Sequence, residues 1–193
     1  KGILFILILA LGLPLSAYPA QDVFAGDDVP AFGLALDAKL AVPQETEANI
    51  LYAKPAVDGV GDCSGWLDAC LLQTALANAV VGDEIWVAAG IHKPTQGTDR
   101  NATFELKNGV KLYGGFAGFE TFREQRDFVN NVSILSGDLN GDDAGFANNT
   151  ENAYHVVVAG VTDSTLDGFT VTAGNANVGN SCPGTACGGG MIL

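Results

Sequence analysis

The chain has 193 residues, of which 48% are hydrophobic and 16% charged, which is material for one sizeable core and short of what two domains need. Nine Lys+Arg stand against 22 Asp+Glu, a formal net charge of −13, and that sign excludes phosphate backbones and anionic lipid surfaces as favoured partners. Calcium, uncharged glycans or host and cell-surface proteins are the partners left, beside the plainer reading that an acidic surface keeps a secreted protein soluble.

Residues 1–17 read as a secretory signal peptide. Lys1 precedes an apolar run from Ile3 to Leu15, and small residues Ser16 and Ala17 close it, with cleavage expected after Ala17. Pro14 interrupts the run, which is short for a bilayer span, so an uncleaved anchor is the lesser reading and no other membrane contact is expected. Export places the protein outside the cell or on its outer surface. Four cysteines then read as disulfide partners, Cys63 with Cys70 and Cys182 with Cys187. Three connectivities exist, and pairing near neighbours is the simplest. A zinc site fits less well, because neither His92 nor His155 stands at ligand spacing.

Residues 18–49 mix Ala, Asp, Pro and Glu without period and read as a spacer. Order begins with a strand at Ile50–Lys54, ended by Pro55. A loop carrying Asp58-Gly59, Trp66 and the first cysteine pair follows. Leu72, Ala75, Leu76 and Ala79 share one face of a helix over Leu71–Ala79, with Gly82 beyond its exit. Short alternating strands come next, at Glu84–Ala88, Thr103–Leu106, Val110–Tyr113, Val132–Leu135, His155–Val158, around Leu166, at Phe169–Val171 and at Met191–Leu193.

One inward residue from each, Ile85, Val110, Ile134 and Val156, recurs at steps of about 22 to 25 residues, which suggests one stacked unit. The fold expected on that ground is all-β: a right-handed parallel β-helix, or solenoid, over residues 50–193, with the helix capping its N-terminal end. The lack of an initiating Met and the ending Gly190-Met191-Ile192-Leu193, inside a strand pattern, lead to the expectation of a longer natural chain.

The stretch Gly82-Asp83-Glu84-Ile85-Trp86-Val87-Ala88-Ala89-Gly90 resembles the first coil of bacterial right-handed β-helix repeat proteins of the pectin-lyase-like kind. Leu112-Tyr113-Gly114-Gly115-Phe116, Ile134-Leu135-Ser136-Gly137-Asp138 and Leu166-Asp167-Gly168-Phe169-Thr170-Val171 continue the likeness. Gly189-Gly190-Met191-Ile192 resembles a repeat of polymorphic outer-membrane and adhesin-type proteins. The likeness implies architecture more than activity, since that fold hosts lyases, hydrolases and non-enzymatic surface proteins alike.

No catalytic residue stands out. Arg100, Arg123 and Arg126 lie in loop-like segments, and Asp142-Asp143 reads better as a solvated turn than as a hydrolytic pair, because neighbours on a strand point to opposite faces. His155 should point outward, and His92 reads as an inert loop residue. Trp86 is placed on the outer face, covering an apolar patch, and Trp66 as the anchor of its disulfide loop. The candidate ligands are Asp138, Asn140 and Asp142, whose oxygens at alternate positions can converge on Ca2+. The loop departs from an EF-hand, with Asp143 in place of the glycine and Asn149 in place of the final glutamate, and Asn140-Gly141 could equally form an ordinary turn. The reading is a secreted or surface-displayed, non-catalytic structural or adhesin-like module. The alternative is a polysaccharide lyase or hydrolase whose active residues lie in further coils.

Overall fold

The computed structural model describes residues 48–177 and 187–193. The signal segment 1–17, nearly all of the 18–49 spacer and Cys182 lie outside the described residues. The described residues fall within the unit Gln44–Leu193. Among them no helix is long and apolar enough to cross a membrane.

Chain order runs β1 (Ile50–Ala53), α1 (Leu72–Asn78), β2 (Glu84–Ala88), β3 (Gly90–His92), β4 (Phe104–Glu105), β5 (Lys111–Phe116), β6 (Ser133–Ser136), β7 (Val157–Val158), β8 (Thr165–Asp167), β9 (Phe169–Thr172) and β10 (Met191–Ile192). Single 3-10 turns add Trp66–Asp68 and Arg123–Gln125. The strands gather into three small parallel sheets, ordered β1-β2-β5-β8, β10-β7-β4 and β3-β6-β9. Parallel neighbours need a crossover, and between β1 and β2 that crossover carries α1, a strand–helix–strand unit.

The all-β solenoid expected from the spacing is therefore corrected. The described strands form three separate sheets of four, three and three with a helix packed among them, an α/β-like arrangement and no closed solenoid. The step in the low twenties does not describe the pairing. Ile85 faces Leu112, and Leu112 faces Leu166. Ile134 belongs to another sheet, opposite Ile91 and Thr170, while Val157 in the remaining sheet faces Phe104 and Met191. Successive partners are separated by unequal lengths of chain. The physical reason is that hydrophobic spacing records which residues are buried, not which backbone each strand bonds. Ile85, Val110 and Val156 are all fully buried, but Ile134 is half-buried and Leu135 takes the core face in its place.

The helix contributes its apolar face to the core. Leu72, Ala75 and Leu76 pack into the same apolar cluster as Ile85, Val87, Phe104, Leu112 and Val156. Fully burying a Leu, Val or Phe side chain stabilises by about 1.5–3 kcal/mol, so this mixed cluster dominates the fold's stability.

A second cluster lies on the opposite face of β2. Trp86 stacks on Phe116 with ring centroids 4.7 Å apart, and Tyr52 meets Trp66 edge-on at 4.9 Å. The register between β2 and β5 shifts so that Trp86 faces Tyr113 while Ala88 faces Phe116. The extra residue is taken up at Gly114-Gly115. Gly115 has φ +96°, and a Cβ there would lie 2.8 Å from the backbone of Phe128. That bulge sets Tyr113 and Phe116 on one face, so the aromatic cluster depends on it.

The loop between β1 and α1 is closed by the Cys63–Cys70 disulfide. Tyr52 N–H donates to Cys63 O at 2.9 Å and Lys54 N–H to Cys70 O at 2.9 Å. The loop thus occupies backbone groups along the free edge of β1, which would otherwise invite strand addition. Trp66 is buried and donates its indole N–H to Glu120 O at 2.9 Å. Cys187 is also disulfide-bonded.

Candidate metal centre

The residues with unsatisfied chemistry collect in the segment between β6 and β7. Ser136 ends β6, and its hydroxyl accepts from Asp138 N–H at 3.2 Å. The Asp138 carboxylate then organises the turn after it. Its Oδ1 accepts from the N–H groups of Gly141 and Asp142, and its Oδ2 from Asp143 at 3.2 Å. Gly141 sits at φ +80°, a conformation glycine takes without steric cost. Ala144 and Ala147 bridge at the loop tip. The chain returns through Glu151 and Asn152, and Ala153 N–H closes the base on Gly137 O at 2.8 Å.

This closure brings Asp138, Asp142 and Glu151 together, with one carboxylate oxygen from each lying within 4.8 Å of the other two. Oxygens that share a calcium ion, each about 2.4 Å from it, stand no more than roughly 4.8 Å apart, so these three carboxylates are close enough to share one. Three buried oxygens nearby have no hydrogen-bond partner: Asp143 Oδ1, Glu151 Oε1 and Asn152 Oδ1. Asn152 is 1% exposed, and its amide N–H donates to Asp143 Oδ2 at 2.8 Å, which leaves only its oxygen unserved. Buried oxygens without donors cost about 1–3 kcal/mol each, and natural folds satisfy nearly all of them. An all-oxygen, acidic donor set suits a hard cation, calcium before the geometrically stricter magnesium.

A cavity of about 330 Å³ adjoins the cluster, lined in part by Asp138, Asp143, Asn149, Asn152 and Thr172. A second, of about 320 Å³, lies across Ser136 and Asp138 and is lined by Lys93, Thr95 and Gln96 as well. Lys93 is committed there, donating to Leu139 O at 3.0 Å.

Of the ligands read from the sequence, Asp138 and Asp142 meet, and Asn140 stands exposed on the turn between them. Glu151 was missed, because the final acid was sought at EF-hand spacing, where Asn149 stands. Its signal was present: Glu151 is the sole acid between Asp143 and Asp163, and it stands where the chain turns back to a strand.

The remaining polar candidates serve the scaffold. Arg123 pairs with Glu84 at 2.7 Å and lies over the Tyr113 ring, and Arg126 pairs with Asp167. Arg100 donates to Asn152 O at 2.6 Å and to Asn175 O at 3.1 Å, tying the base of the acidic loop to the segment after β9. His92 departs from the sequence reading. It ends β3 rather than lying in a loop and is 3% exposed, with Nε2 placed 2.9 Å from Ala88 O. Burial pushes its pKa below the ordinary value, against a smaller upward pull from that carbonyl. His155 is half-buried, with Nδ1 placed 3.1 Å from Gly188 O. Glu120 is 5% exposed. Desolvation alone would raise its pKa, but backbone N–H groups, those of Ala117, Phe119 and Gly118 among them, together hold it below the usual value. The chain matches no protein-family model, no curated protein and no solved structure.

Proposed function

We propose that this chain is a non-catalytic structural module of a secreted or cell-surface protein, and that its long β6–β7 loop is locked in place by a calcium ion. The observation that carries the reading is the convergence of Asp138, Asp142 and Glu151 beside buried oxygens that lack donors. A cation bound there joins the two ends of the loop, since Asp138 and Asp142 lie on its outgoing limb and Glu151 on its return. Calcium does so without chemistry: it supplies the positive charge that three neighbouring carboxylates need and the contacts that the orphaned oxygens lack. The export reading rests on the signal-like segment Lys1–Ala17 and agrees with the Cys63–Cys70 disulfide, which persists in an oxidising compartment. Arg100, Arg123 and Arg126 are each engaged in scaffold contacts, which favours a structural role over a catalytic one for them.

Thermal unfolding with calcium, with magnesium and with a chelator tests this reading. Binding to the folded state alone stabilises by about 2.7 kcal/mol at a hundred times Kd. A dose-dependent rise in Tm with calcium, weaker with magnesium and absent from Glu151→Gln, is expected. Identical melting in calcium and in chelator would overturn the proposal.

A further inference from the structure

The most exposed large apolar side chains near the disulfide loop are Leu67, 82% exposed, and Phe119, 78% exposed. They do not stand alone. Both line one cavity of about 470 Å³, together with Ser64, Gly65, Trp66, Asp68 and Gly118. Leu67 belongs to the 3-10 turn Trp66–Asp68, which Cys63–Cys70 braces, and Phe119 to a turn held by the Glu120 carboxylate. Both side chains are therefore presented on rigid backbone, with the buried Trp66 between them and the core. Val60, on the same β1–α1 loop, is 77% exposed, and its N–H donates to Asp68 Oδ1.

The rim is acidic. Asp68 lines the cavity, and Asp62 accepts from the N–H of Ser64, a wall residue. Asp58 lies on the same loop, its N–H donating to Ala69 O. Lys54, which directly follows β1, is paired with Asp58 at 2.7 Å. Hydrogen bonds from Ser64 hold Asp62 below the usual carboxylate range, so it stays ionised down to acid pH. An apolar cavity bordered by uncompensated carboxylates selects against a second copy of this chain, which brings the same rim and a net charge of −13, and against anionic lipid. It selects for an apolar side chain flanked by cations.

We propose that the Leu67–Phe119 cavity is a docking site for a basic, apolar peptide segment of a partner protein. One large apolar side chain of the partner enters between Leu67 and Phe119, and its neighbouring Lys or Arg residues meet Asp62 and Asp68. The proposal is independent of the cation centre.

Both tryptophans of the chain, Trp66 and Trp86, sit in the aromatic cluster beneath this cavity, so intrinsic emission reports on it directly. The full chain is titrated with the peptide Lys-Leu-Lys-Phe-Lys, and separately with Glu-Leu-Glu-Phe-Glu and Lys-Ser-Lys-Ser-Lys. A saturable emission change with the first peptide alone is expected, weakening as salt is raised. Leu67→Ser and Phe119→Ser should each bind about tenfold more weakly while melting like the parent, since both side chains are exposed. Asp62→Asn should weaken binding by a smaller factor. Equal responses to the acidic or serine peptides, no response to any, or unchanged binding by both serine variants would each overturn the proposal. So would sedimentation showing a peptide-free dimer abolished by Leu67→Ser, which would assign the surface to a second copy.

Discussion

The β1–α1 and β6–β7 loops are both long, and they are closed by different means. The β1–α1 loop is self-sufficient: a disulfide, an indole donating to Glu120 O and the contacts of the Trp66 ring with Tyr52 and Phe116 hold it. The β6–β7 loop is closed at its base by Ala153 N–H on Gly137 O, yet it gathers three carboxylates and leaves buried oxygens without donors. A loop stapled by covalent and aromatic contacts needs nothing from solution. A loop that brings three like charges together leaves a place for a counter-ion.

The contrast can be broken most forcefully at the aromatic staple. Phe116→Ala should cost about 3–5 kcal/mol, because the ring is fully buried and stacks on Trp86, with its Tm falling equally in calcium and in chelator. Removing the disulfide with Cys63→Ser/Cys70→Ser should cost about 2–3 kcal/mol, again independent of calcium. A calcium-dependent loss in either variant would mean that the two loops are coupled rather than separate. Glu151→Gln should do the reverse: in chelator it melts at or slightly above the parent, by about 1 kcal/mol or less, because like charges are separated, and in calcium it no longer gains.

The smallest effect is expected from His92. Its folded-state pKa lies below its unfolded value near 6.5, so the unfolded chain binds the proton more readily. Its contribution is intact above that pH and is lost as pH falls through 6.5 toward the lower folded value. His92→Gln should flatten this part of the stability profile, as measured by urea unfolding between pH 7.5 and pH 5; a profile identical to the parent's would refute the assignment.

Much of the local structure was legible in the sequence. The Leu72–Asn78 helix follows from Ala and Leu at helical spacing, and β2 from the β-branched and aromatic run Ile85-Trp86-Val87, which is buried on both faces. The Cys63–Cys70 bond follows from proximity along the chain. Strand β3 escaped notice, because Gly90-Ile91-His92 is too short and too polar to signal burial. The position of His92 inside the fold is decided by Ala88 O and the neighbouring strands, none of which a local pattern names.

Local choices are set by neighbours within a few residues, so composition, helix, strand positions, the short disulfide and the acidic turn around Asp138 were determined by the sequence itself. Tertiary structure alone decided which strand lies beside which, because loops of unequal length let equal hydrophobic spacings fall into different sheets. It also decided that α1 joins the core, that Trp86 has Phe116 to stack on, and that Glu151 returns to Asp138 and Asp142. Each of these depends on where a distant part of the chain comes back in space, and chain entropy leaves that open until the whole core packs.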